Sequence, residues 1–157
     1  MAITPNTNPF VSGAVLTAAQ MTALPMGIYS FVEKTSSTTP ITAETVVLTL
    51  PSFTAVANRY YRVTVFFPYN EQTAGAAATF IGRIRKGTTT GGTQVQLSQS
   101  YASATANDDK FMFIQWVGTL TAGAQQMVAT FEASANATVL ATATVPAQMV
   151  IEDIGGA

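Results

Sequence analysis

From Gly27 onward, apolar and polar residues alternate with a period of two, in short runs separated by Gly, Pro, Thr and Asn. Successive side chains of an extended strand point to opposite faces, so this alternation marks strands resting one face on a core. GIYSFVEK (27–34) sets Ile28, Ser30, Val32 and Lys34 against Tyr29, Phe31 and Glu33, and the tract TSSTTP interrupts it. TVVLTL (45–50) is a β-branched strand closed by Pro51. Ala57-Asn58 turns the chain into RYYRVTVFF (59–67), in which Tyr61, Val63, Val65 and Phe67 alternate with Tyr60, Arg62, Thr64 and Phe66. Pro68-Tyr69-Asn70 opens a loop that lasts to Ala78.

TFIGRIRKG (79–87) places Phe80, Gly82, Ile84 and Lys86 opposite Thr79, Ile81, Arg83 and Arg85. A turn follows in which Gly91 and Gly92 supply positive φ, then TQVQLSQS (93–100) and a polar connection over 101–110. KFMFIQWVGTL (110–120) is apolar on both sides. Phe111, Phe113, Gln115 and Val117 share one face, Met112, Ile114 and Trp116 the other, a pattern that predicts a strand covered on both faces. QMVATFEAS, residues 137–145 and the closing QMVIEDIG complete the set, the last with Met149, Ile151 and Asp153 opposite Val150, Glu152 and Ile154. Eight or nine short strands with regular turn signals predict an all-β fold, a single β-sandwich of jelly-roll type over residues 27–157.

Residues 1–26 read differently. MAITPNTNPFVS has two prolines and no period, so it is expected to be an extended arm. Thr17 and Gln20 fit a capping box, Leu16 and Met21 flank it as a hydrophobic staple, and Pro25 stops a helix of residues 17–24. A helix of about two turns cannot stand alone and is expected to dock on something. Ile3, Phe10 and Val11 in the arm, with Leu16 and Met21 at the helix, are the candidate subunit contacts. Ordering such an arm costs about 1–2 kcal/mol per residue, so a partner has to supply the compensating contacts.

Charge sharpens this picture. Only 10% of the residues are charged while 48% are hydrophobic, against roughly 25% charged in an ordinary domain. Thr, Ser, Gln and Asn keep the surface polar. Such a surface desolvates cheaply against a partner, and it equally suits a sandwich with Thr-rich outer faces. The net charge is −1, and the one basic cluster, Arg83, Arg85 and Lys86, is read as a solvated edge. Nucleic acid is therefore not an expected partner. No run approaches the roughly 18 apolar residues of a membrane span. The opening lacks a basic region followed by an apolar stretch, so no secretory signal is expected and assembly is expected in the cytoplasm.

Histidine and cysteine are both absent, which excludes thiol catalysis, Cys/His zinc sites and Ser-His-Asp triads. Asp108-Asp109 lies in a polar tract without calcium-loop spacing. Glu152 and Asp153 occupy successive strand positions and point to opposite faces, so they cannot form one catalytic pair. Phe66, Phe67 and Trp116 could line a sugar groove, though core is the commoner fate of such residues. No catalytic, cofactor-binding or metal-binding residues are expected, and no cofactor.

Three stretches carry a resemblance. FVSGAVLTAAQMTALPMGIYSFVEKTSSTTPIT resembles the opening of a group of small tailed-phage virion proteins, FTAVANRYYRVTV their next segment, and VPAQMVIEDIG their C-terminal strand. Tyr60-Tyr61 and FFPYN depart from the Ala/Ser-rich pattern of the group. Members are decoration or cement proteins, head fibres and minor tail proteins. The resemblance implies a non-enzymatic virion structural protein, most simply a capsid decoration protein that forms a homo-oligomer, expected to be a trimer, on the major capsid protein or another virion protein. A tail, collar or fibre-tip component with a host-glycan contact is the alternative.

Overall fold

Tyr61, Val63, Val65 and Phe67 point into the core from one strand, while Tyr60, Arg62, Thr64 and Phe66 line its outer side, as their alternation requires. This strand is the spine of the computed structural model, which describes residues 15, 17, 18, 21, 24–72, 75–105 and 108–157. The described strands are β1 (Gly27–Lys34), β2 (Thr38–Ile41), β3 (Thr45–Thr49), β4 (Phe53–Ala55), β5 (Arg59–Gln72), β6 (Ala78–Lys86), β7 (Thr93–Ala102), β8 (Lys110–Thr119), β9 (Gly123–Gln125), β10 (Met127–Ala133), β11 (Ala137–Leu140) and β12 (Ala147–Gly156).

They form two packed antiparallel sheets, an all-β sandwich of jelly-roll type. The first runs β1-β12-β5-β11-β2, with β8 on the other edge of β5. The second runs β3-β10-β6-β7, and β4 with β9 makes a small ribbon. Between the sheets lies one core. Phe131 of β10 meets Phe67 of β5 edge-on at 5.7 Å and Phe80 of β6 at 5.5 Å. Tyr29, Phe53 and Tyr61 form a second aromatic group, with Tyr29 edge-on to Tyr61 at 5.6 Å. Fully buried, Tyr61, Phe67, Phe80 and Phe131 each contribute about 1.5–3 kcal/mol, offsetting the entropy of ordering the chain.

Four sequence expectations need correction. β5 continues through Pro68-Tyr69-Asn70 to Gln72, where a loop was expected; Pro68 falls within the register shift between Phe67 and Asn70, a place where a strand tolerates a missing donor. Part of the tract TSSTTP belongs to β2, and Pro40 is accommodated because β2 is an edge strand. In β1 a bulge between Ile28 and Ser30 breaks the alternation. Ile28 therefore joins Phe31 and Glu33 on the outer side, while Tyr29 packs inward. At the β6–β7 turn Gly91 and Gly92 do not supply positive φ; Gly87 does, at 114°. Gly92 is required by close approach instead, since a Cβ there would lie 2.2 Å from the Lys86 carbonyl oxygen.

The expected helix lies mostly outside the described residues. The Met21 N–H donates to the Thr17 carbonyl at 3.0 Å, an i to i−4 bond. Gln20, the other half of the expected capping box, is outside the described set.

Candidate assembly surface

The outer side of the first sheet is built from β1, β12, β5 and β8. Their register aligns side chains in rows across the sheet. One row reads Ile28, Glu152, Arg62, Val117. The next reads Phe31, Val150, Thr64, Gln115, and a third Glu33, Gln148, Phe66, Phe113. Phe111 extends the β8 column. Ile28 is 67% exposed, Phe111 71%, Phe113 53% and Phe31 46%. Six of these twelve row residues are apolar; Ile28, Phe31, Phe113 and Val117 among them are exposed, as is Phe111. β8 was expected to be covered on both sides. In the sandwich Met112, Ile114 and Trp116 are covered and Phe111, Phe113, Gln115 and Val117 exposed, because the second sheet packs on one side of β8.

On the two central strands of the face, in its end row, stands an ion pair, Arg62 Nε to Glu152 Oε2 at 2.9 Å. Its groups are partly exposed, so in the isolated chain it contributes at most about 1 kcal/mol.

Behind the face lies a second pair of another kind. Asp153 and Arg59 are both buried. Arg59 donates from Nε to Asp153 Oδ2 and from Nη2 to Oδ1 at 2.5 Å, and Nη2 also donates to the Leu24 carbonyl at 2.5 Å. Asp153 Oδ1 further accepts from the Gly155 N–H at 2.9 Å and the Met26 N–H at 3.5 Å. Burial alone would raise the Asp153 carboxyl, but the Arg59 and Gly155 hydrogen bonds and the Arg59 charge hold it below its ordinary value. The three stretches that carried the sequence resemblance meet here. Leu24 and Met26 belong to the first, Arg59 to the second and Asp153 to the third, and their strands β1, β12 and β5 are neighbours.

On the outer side of the second sheet, Arg83 and Arg85 are mostly buried rather than a solvated basic edge. Glu44 accepts two bonds from Arg85, at 2.6 and 2.8 Å, and one from Thr130 Oγ1 at 2.5 Å. Arg83 pairs with Glu132 at 2.6 Å. Burial works against the charged Glu44, and the bonds from Arg85 and Thr130 reverse that effect, so its pKa is lowered. Two positive and two negative groups cancel, leaving no basic track. Lys86 turns away from both arginines, its Nζ 5.3 Å from the centre of the Trp116 ring.

Of the expected subunit contacts, Ile3, Phe10, Val11 and Leu16 lie outside the described residues, and Met21 is 60% exposed. Of the helical turn, Thr17, Ala18, Met21 and Leu24 are described and exposed, and the Leu24 carbonyl accepts from Arg59 Nη2. The sugar groove of Phe66, Phe67 and Trp116 is not assembled. Phe66 and Phe67 face opposite sides of β5, and the Trp116 ring lies over Gly118 beneath Lys86. Asp108 is a loop brace, bonded to Lys110 Nζ at 2.6 Å and to the Ser103 N–H at 2.7 Å, which lower its pKa to about 2. Glu152 and Asp153 do diverge to opposite faces, each with its own arginine. Among the described residues no group of three metal-ligating side chains converges, and no helix is long and apolar enough to cross a membrane.

The residues of the apolar face were legible individually, but Ile28 was assigned to the wrong side. The register that gathers them into one surface had no signal in the sequence.

These strands define a jelly-roll-type sandwich with exposed apolar side chains on the outer side of its first sheet. The chain is similar to the EclA C-terminal domain, a sugar-binding protein (12% identity, TM-score 0.38, covering 96% of this chain and 84% of that one). It is similar to the CBM22-1 xylan-binding domain of Paenibacillus barcinonensis Xyn10C (14% identity, TM-score 0.38, 84% and 95%). It is also similar to the Eiger TNF of S. frugiperda (9% identity, TM-score 0.40, 85% and 94%). No protein-family model matches the chain, and no curated protein does.

Proposed function

We propose that this chain is a non-enzymatic structural protein of a tailed-phage particle, a capsid decoration or cement protein that associates with its own copies and with the major capsid protein or another virion protein. One observation carries the assembly part of this reading: the open apolar face of Ile28, Phe31, Phe66, Phe111, Phe113, Val117 and Val150. Several large apolar side chains exposed on one sheet face of a charge-poor domain mark an interaction site. The virion part is supported by the sequence resemblance. A structural role agrees with the state of the carboxylates, since Glu44, Asp108, Glu132, Glu152 and Asp153 are each held in an ion pair, and no His or Cys stands ready as base or nucleophile.

Two measurements test the two parts. Sedimentation velocity at high micromolar concentration should show an oligomer, and a monomer there sinks the assembly part. Quantitative mass spectrometry of purified phage particles from the encoding strain should find hundreds of copies per particle. Absence from the particles sinks the virion part, and a handful of copies moves the protein to the tail or a vertex. Deleting residues 2–12 should weaken particle binding, with folding retained, if the arm is a tether.

The tail or fibre-tip reading with a glycan contact is favoured by one feature, the exposed Phe111 and Phe113 rings on the outer side of β8, where sugar rings can stack. Glycan binding abolished by Phe113→Ala would support it.

A further inference from the structure

The row Ile28, Glu152, Arg62, Val117 reads apolar, acid, base, apolar across four neighbouring strands. Reversing this row exchanges the acid with the base and leaves the apolar ends in place. We propose that the outer face of β1-β12-β5-β8 is a two-fold homotypic interface, in which a second copy packs face to face about an axis parallel to the strands and passing between β12 and β5. This proposal rests on the self-association part of the function proposed above and specifies its geometry.

An isologous contact brings the same patch of both copies together, so a patch has to be complementary to its own image. An axis between β12 and β5 places each Arg62 over the other copy's Glu152, and each Ile28 over the other copy's Val117. In the next row it sets Phe31 over Gln115 and Val150 over Thr64. Phe66 and Phe113 meet Gln148 and Glu33, which lie on the side of the face away from the charged row. The four charges at the axis then form a closed acid–base ring. Like-charge contacts would instead arise if the copies slid by one strand, so the ring specifies register more than it adds affinity.

Four strands about 4.8 Å apart, each contributing about eight residues at about 3.4 Å, cover roughly 19 by 27 Å, or about 500 Å² per partner and about 1,000 Å² per pair, the size at which specific interfaces begin. A sheet face also suits a second sheet face, since the strands of aligned sheets cross at about 30°, which sets each copy's strands about 15° from the axis.

Arg62 and Glu152 are partly exposed in the single chain, so reversing their charges leaves the fold intact, which circular dichroism checks. The full chain should sediment as a dimer. Arg62→Glu and Glu152→Arg should each weaken self-association by more than about tenfold, because each presents four like charges at the axis. An equimolar mixture of the two variants should form a 1:1 heterodimer, since every acid then faces a base. Full-chain trimers that survive both substitutions would overturn the two-fold pairing while leaving self-association standing. A monomeric full chain would overturn both. Dimers unaffected by either charge reversal place the interface elsewhere. A chain that dimerises only after deletion of residues 2–12 identifies the N-terminal arm as the occupant of the face, and also overturns the proposal.

Discussion

Asp153 and Arg59, 94 residues apart in sequence, form a buried two-point ion pair that also holds the Leu24 carbonyl and the Met26 N–H. The pair joins the C-terminal strand, the spine strand and the chain entering β1. It works as a clasp for the segment before the sandwich.

Breaking the clasp from one side leaves an uncompensated buried charge. Asp153→Ala is expected to destabilise the protein by about 3–5 kcal/mol, read from urea unfolding. The amide protons of Met26 and Gly155, which donate to Asp153, should exchange faster in a milder Asp153→Asn variant. Unchanged exchange at Met26 would mean that the clasp does not hold the N-terminal segment.

Below about pH 8, stability should depend on pH only on the acid side. Asp153, Glu44 and Asp108 have folded pKa values below their ordinary ones of 3.8, 4.5 and 3.8. A carboxylate with a depressed folded pKa contributes stability fully above its unfolded pKa and loses it as pH falls through the folded value. With no histidine in the chain, the melting temperature should be level from about pH 8 to pH 5 and fall below about pH 4. For Asp108 the loss should continue down to about pH 2. Asp153→Asn should flatten the acid limb, whereas a transition near pH 6.5 would contradict this account.

Gly82 is needed for packing. A Cβ there would lie 2.4 Å from Met112 Sδ and 2.7 Å from Ile114 Cδ1, both in the core. Gly82→Ala should cost about 1–3 kcal/mol. Combined with Met112→Ala it should cost less than the sum of the single changes, because the shortened side chain vacates the contested space. Strict additivity in thermal melts would refute the contact.

The two surface networks should respond unequally. Glu44→Gln removes the negative charge and one of the two acceptor oxygens shared by the mostly buried Arg83 and Arg85 and should cost about 2–4 kcal/mol. Glu152→Gln, measured under conditions where the chain is monomeric, should cost less than about 1 kcal/mol. Equal losses in denaturant titrations would show that burial does not separate them.

Much of this fold is written in local order. Alternation in RYYRVTVFF, TFIGRIRKG and QMVIEDIG identified both the strands and their inward residues, because a period of two has one physical meaning wherever one face is buried. The divergence of Glu152 from Asp153 follows from the same rule, and the turn at Asn58, with φ of 56°, from the tolerance of Asn for that conformation. Tertiary structure decided the rest. The bulge after Ile28 depends on how β1 meets β12, and the continuation of β5 past Pro68 depends on the strands that flank it. Composition marked Arg83 and Arg85 as a basic cluster, and only the fold brings Glu44 and Glu132 to neutralise them. The open face belongs to this second group: its residues come from four strands spread between Ile28 and Val150. A periodic pattern states which side of a strand is apolar, but which strands lie side by side, and whether anything covers them, is set by long-range pairing that leaves no local trace.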